Sequence, residues 1–169
     1  HKTQHPLFTE LTDLRPTFYG LVIAYRILKD EKYLKAALKA ADWYIKNAVD
    51  KSHYLGVCGD NRFVPDFATV HSGQAMLDLY ELTGEEKYLE ASKKIAKFYT
   101  TAIYTHPVPT KEKKLVRGRV LEDWHISQVG LSFEHGGIMG SANRHGPILL
   151  ASHAGYFIRM FSITQDSLL

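Results

Sequence analysis

Tyr25-Arg-Ile-Leu-Lys-Asp-Glu-Lys-Tyr-Leu-Lys-Ala-Ala-Leu-Lys-Ala-Ala-Asp-Trp-Tyr44 recurs as Tyr80-Glu-Leu-Thr-Gly-Glu-Glu-Lys-Tyr-Leu-Glu-Ala-Ser-Lys-Lys-Ile-Ala-Lys-Phe-Tyr99, about 55 residues later and without a gap. A third copy starts at Phe161-Ser-Ile-Thr-Gln-Asp166. Each unit reads as helix, tight turn, helix. In the second, Ala75, Met76, Leu79, Tyr80 and Leu82 give an apolar face at helical spacing. Thr83-Gly84-Glu85 ends that helix, because glycine takes the left-handed geometry of a helix C-terminus without steric cost. The next helix turns Tyr88, Leu89, Ala91, Ile95, Phe98 and Tyr99 inward and its lysines and glutamates outward.

The first helix of each pair carries far less charge than the second, with apolar runs at Leu21–Ala24 and Gly155–Ile158. That asymmetry predicts an inner row of helices (16–28, 68–82, 148–163) surrounded by protein, and an outer row (31–47, 86–102) with one wet face. The chain therefore reads as a single all-α domain over residues 1–169, with helical hairpins at about 16–47, 68–102 and 148–169. Links between pairs run from about Asn47 to Asp66 and from about Thr101 to Pro147. Such lengths are unusual in compact domains and mostly functional. Both join an outer helix to the next inner one, so they gather at one rim, where the site is expected.

Composition narrows the function. At 169 residues, with 45% hydrophobic and 23% charged residues, the chain has the make-up of an ordinary globular domain. No apolar run approaches a membrane span. The net charge of +3 is small. The basic residues Lys111, Lys113, Lys114, Arg117 and Arg119 lie beside Pro107 and Pro109 with no interleaved aromatics, which reads as a solvated loop and not a nucleic-acid surface. One cysteine, Cys58, excludes an intrachain disulfide and leaves the compartment open. The chain opens on His1 rather than Met; if a signal segment has been removed, a periplasmic or secreted location is favoured.

The long links are rich in acids, imidazoles and aromatics. Asp60, Asp66, Asp123, Glu134 and His135 are the candidate catalytic residues; Arg62, His71, Trp124, His125, Asn143, Arg144 and His145 are the candidate substrate contacts. Sugars ask for this mixture: rings for their C–H faces, charged groups for their hydroxyls, and a carboxylic acid or imidazole for proton transfer. Asp between helices also serves as an N-cap or turn residue. His71 and His153, early on inner helices, also fit hydrogen-bonded structural roles. Glu134-His135-Gly136-Gly137 and His145-Gly146 bring backbone close to whatever lies opposite. Hydrolysis would take a pair of carboxyl groups, elimination a base and a charge-neutralising group, and epimerisation two proton-transfer residues.

Arg15-Pro-Thr-Phe-Tyr-Gly20, Ala40-Ala-Asp-Trp-Tyr44, His71-Ser-Gly73, Leu79-Tyr-Glu-Leu-Thr-Gly84 and Lys87-Tyr-Leu89 resemble the six-hairpin glycosidases, in particular the β-L-arabinofuranosidase-like family and the unsaturated glucuronyl hydrolases. The resemblance implies part of an (α/α)₆ toroid with its cleft at the loop-rich end, and a glycoside hydrolase or polysaccharide lyase acting on a poly- or oligosaccharide. The alternatives are a sugar epimerase of the same toroid and a non-catalytic helical-repeat binding module. The arabinofuranosidase-like family uses a cysteine and zinc; Cys58 stands alone, so neither metal nor cofactor is expected. At this hairpin length six hairpins need about twice the chain. That implies a fragment, or a ring completed by a partner chain or by self-association. The partner expected otherwise is the carbohydrate, with no nucleic acid and no membrane.

Overall fold

A computed structural model describes residues 18–52, 67–101, 103, 108–123 and 141–167, with backbone alone for residues 67, 68 and 141–152. The helices are α1 (Phe18–Leu28), α2 (Glu31–Tyr44) continued by a π-helical turn (Ile45–Val49), α3 (Phe67–Thr83), α4 (Glu86–Thr100) and α5 (Ser141–Thr164). The fold is all-α and built of helical hairpins.

The repeat of the sequence is a repeat of turn geometry. Lys29, Gly84 and Gln165 occupy the same place in the three copies, and all three are left-handed, at φ 56°, 73° and 56°. Each donates its backbone N–H to the carbonyl four residues back, on Tyr25, Tyr80 and Phe161, at 2.8 Å in every case. This is the single-bond C-terminal motif that satisfies an otherwise orphaned carbonyl. Thr83 and Thr164 match as well: each hydroxyl donates to the carbonyl one turn back (Leu79, Met160) and accepts the N–H two residues on (Glu85, Asp166). In the first copy Asp30 instead caps α2, accepting the Lys32 N–H at 3.0 Å. Only glycine adopts this conformation without steric penalty. Lys29→Gly and Gln165→Gly are therefore each expected to stabilise the chain by about 0.5–1 kcal/mol. A urea midpoint that stays put or falls would contradict this.

The helices form two rows. The inner row is α1, α3, α5, with α3 in the middle; α2 and α4 form the outer row. Near their C-terminal ends the inner helices share an ionic knot. Asp78, whose side chain is only 4% exposed, receives Arg159 at 2.7 Å and Arg26 at 3.3 Å. Glu81 receives the same two arginines at 2.8 and 3.5 Å. Three C-terminal ends meeting at one knot make the inner helices parallel. Every short turn then lies at that rim, and the helix ends joined by the long links lie at the other. The outer helices are parallel too. Tyr88 donates to Asp42 across 46 residues at 3.0 Å, and Lys94 to Asp50 across 44 at 2.8 Å.

Two apolar clusters fill the space between the rows. One joins Phe18, Val22, Tyr44, Met76, Leu79, Tyr88 and Ile95; the other joins Val70, Leu77, Leu89, Tyr99, Tyr156 and Met160. The closing tyrosines of the repeat, Tyr44 and Tyr99, are both buried.

Three expectations need correction. Only α3 is enclosed. On α1, Ile27 is 72% exposed with Leu28 and Ile23 beside it, and on α5 Ile158 and Phe161 are exposed, since among the described residues each helix has an inner neighbour on one side alone. Second, α5 begins at Ser141, seven residues before the expected 148, and carries Pro147 inside it. A proline within a helix lacks an N–H and strains the preceding turn, which is why the pattern reads as starting after it.

Third, the link after α4 is not without structure. It holds an antiparallel hairpin, β1 (Lys113–Val116) and β2 (Arg119–Glu122), turned by Arg117 and Gly118 at φ 49° and 75°. Two positive φ values in a two-residue loop match the twist of the strands. The basic cluster that reads as a loop lies in and beside this ribbon. Among the described residues no helix is long and apolar enough to cross a membrane.

Candidate functional site

At the rim of the long links, α3 begins and α4 ends. His71 is exposed on the second turn of α3. Tyr99 lies at the end of α4, and α5 brings His153 against it. The Tyr99 hydroxyl stands 2.5 Å from His153 Nδ1, and the two rings meet edge to face at 5.0 Å. Phe157, one turn on along α5, packs against Tyr99 with ring centroids 6.1 Å apart. His153 is only 4% exposed. Its second ring nitrogen, Nε2, is the single buried side-chain nitrogen or oxygen among the described residues that has no hydrogen-bond partner.

Burial drives the His153 imidazole down to about 4, and the charge of nearby His71 adds to the effect. A histidine so held stays neutral at physiological pH and offers a directed hydrogen bond rather than a charge. An unpaired polar atom in the interior costs on the order of 1–3 kcal/mol, so a group that meets Nε2 gains that amount.

On sequence alone His153 fits a structural histidine and Tyr99 a core residue, and neither is among the candidate site residues. The available signal was a lone imidazole in the stripe His153, Tyr156, Met160, which α5 buries.

Of the candidates, His71 lies beside this pair. Asp123 does not stand free. One oxygen of its carboxylate accepts the Thr110 N–H at 2.8 Å and hydroxyl at 3.1 Å; the other takes Lys114 Nζ at 2.5 Å. Its own N–H donates to the Glu112 carbonyl at 3.0 Å. The Lys114 ammonium, then the Thr110 N–H, hold its carboxyl below the usual range. Asp123 thus clamps the base of the hairpin. Asn143, Arg144 and His145 fall on the first two turns of α5, where the backbone alone is described. Asp60, Arg62, Asp66, Trp124, His125, Glu134 and His135 lie outside the described residues.

The family model of the β-L-arabinofuranosidase, GH127 catalytic domain matches residues 8–123. That is well over half of the chain. The chain belongs to this family. It is a glycoside hydrolase chain whose substrate class is carbohydrate, and the lyase, epimerase and binding-module readings give way to that one. No curated protein and no solved structure matches it. Within this GH127 chain the matched segment spans both complete hairpins and the β-ribbon, hence His71, Tyr99 and Asp123. Helix α5, with His153, follows it.

Zinc held with cysteine is what the resemblance implies for this family. The described residues do not test it. Cys58, the sole cysteine, lies outside the described residues, and among those described no three His, Cys, Asp or Glu side chains converge to hold an ion. No step is derived through a metal.

Proposed function

We propose that the rim where α3 begins and α4 ends carries part of the sugar-binding site of this glycoside hydrolase, with His153 Nε2 bonding a hydroxyl or ring oxygen of the glycan. One observation carries the reading: a polar atom nine-tenths buried, with no protein partner, against the end of α4. Hydroxyl-rich ligands supply the missing partner, and an apolar ligand does not. The family name supports a β-L-arabinofuranoside as the sugar.

Hydrolysis needs one carboxyl group to protonate the leaving oxygen and a second group to attack or to activate water. Asp123 is occupied in its ribbon, so Asp60, Asp66 and Glu134 are the carboxylates we assign to this work, with His135 as their proton partner. Arg62, Trp124, His125, Asn143, Arg144 and His145 are assigned to substrate contact beside His71. The exposed apolar flanks of α1 and α5 support a ring completed by further helical hairpins, from a partner chain or a second copy.

The test is binding of the methyl glycoside of β-L-arabinofuranose, followed by NMR and calorimetry. His153→Phe keeps an aromatic ring and removes the nitrogen. It is expected to weaken binding about tenfold, equivalent to about 1.4 kcal/mol for one lost hydrogen bond. A folded His153→Phe chain that binds the glycoside as the parent does would remove His153 from the site.

A further inference from the structure

The bond between Tyr99 and His153 does more than fill space. An imidazole has two neutral forms, and which nitrogen keeps the proton is set by what the other one meets. Nδ1 meets a phenol. A phenolic O–H is a good donor and a poor acceptor, whereas a bare imidazole nitrogen is a strong acceptor. The favourable pairing has Tyr99 donating to Nδ1, which leaves the imidazole proton on Nε2. The contact is short, at 2.5 Å, and both residues are almost wholly buried, so water does not compete for either partner.

The two side chains come from different helices, and each is fixed by packing of its own. Tyr99 is held in the cluster of Val70, Leu77, Leu89 and Ala96. His153 sits one turn before Tyr156, whose hydroxyl is anchored on the Ser92 carbonyl at 2.8 Å. A flip of the ring would break the bond to Tyr99.

We propose that Tyr99 is a positioning residue: by donating to His153 Nδ1 it locks the imidazole in the form protonated on Nε2, so that the site presents a fixed N–H donor to an oxygen of the glycan. The proposal rests on the reading that His153 faces the sugar. It also specifies the chemistry of that contact. His153 is a directional donor and not a proton shuttle, and the sugar atom it meets is an acceptor, either a ring oxygen or the lone pair of a hydroxyl. Proton transfer belongs to other groups at the rim.

Long-range proton–nitrogen correlation of the histidine rings in the full chain at pH 7 tests it directly. The parent chain is expected to show His153 with an unprotonated Nδ1 and a protonated Nε2. In Tyr99→Phe, both nitrogens are expected to move toward the averaged values of exchanging forms, and glycoside affinity to fall by about threefold to tenfold. A parent spectrum with the proton on Nδ1, or already averaged, overturns the proposal without any variant. So does a folded Tyr99→Phe chain whose His153 signals do not move. A locked ring combined with unchanged binding in His153→Phe would leave the lock standing and remove the sugar site. An averaged ring combined with weakened binding in His153→Phe would do the reverse.

Discussion

Gly73→Ala is expected to destabilise the chain by about 3 kcal/mol, or a fall of roughly 6–12 °C in melting temperature, although alanine is the better helix former. Gly73 sits on α3 where Ile95 of α4 and Tyr156 of α5 press against it. A methyl group there would lie inside the contact distance of the Tyr156 hydroxyl, 2.7 Å from its Cζ and 3.0 Å from Ile95 Cγ2. Tyr156 cannot swing aside. It is fully buried, and its O–H donates to the Ser92 carbonyl at 2.8 Å. The Ser92 hydroxyl in turn donates to the Gly73 carbonyl at 2.9 Å, and the two hydroxyl oxygens stand 2.9 Å apart. Moving the tyrosine strands buried polar groups on two helices, which adds to the steric term.

Gly155, on the exposed face of α5, is the internal control. Nothing lies within 4 Å of an added methyl group there. Gly155→Ala should stabilise by roughly 0.5–1 kcal/mol through backbone entropy alone. Thermal and urea unfolding of both variants check the pair. Similar effects from the two glycines would mean that α3 and α5 are not in contact at this point.

How far the sequence reveals this arrangement depends on the range of the interaction. The hairpins are legible because their signals are local and repeated: a turn residue, a capping residue and an aromatic-tyrosine pair at one spacing. That Lys29 and Gln165 would be left-handed follows from their alignment with Gly84 and from nothing in themselves. The ribbon at Lys113–Glu122 escapes because its strands are short and mostly exposed. Charged residues sit on both faces and blur the two-residue alternation, although Arg117-Gly118 is a turn signal in plain view.

The exposure on α1 also escapes. An apolar run declares that a helix wants burial, and it does not say whether a neighbour is present. Most telling is the pair at the rim. Tyr99 and His153 are 54 residues apart and belong to different repeats, and no periodicity links them. Apolar spacing places both toward the core and stops there. What makes His153 a site residue is a missing partner, and a missing partner is a property of three-dimensional packing.

The same burial predicts loss of stability in mild acid. His153 takes a proton near pH 4 in the folded chain, against 6.5 for an ordinary histidine. Above 6.5 neither state binds the proton. As pH falls from 6.5 toward 4 the unfolded chain binds it and the folded chain does not, so folding free energy declines throughout that window and levels off below it. The full difference is on the order of 3 kcal/mol, a large share of the stability of a domain this size.

The groups facing the ring account for the direction. Tyr99 on α4 is neutral across the range, and His71 on α3 opposes a second positive charge. Urea midpoints taken at steps from pH 7 to 4.5 should fall steeply in the parent chain. In His153→Phe the slope should be shallower by about one proton. The carboxylates that the fold holds low, Asp30 and Asp123, lose their contribution below the usual carboxylate range, at still lower pH. Identical slopes for the parent and His153→Phe between pH 6.5 and 4.5 would show that the imidazole is open to solvent. That result would undo both the burial at the rim and the donor geometry built on it.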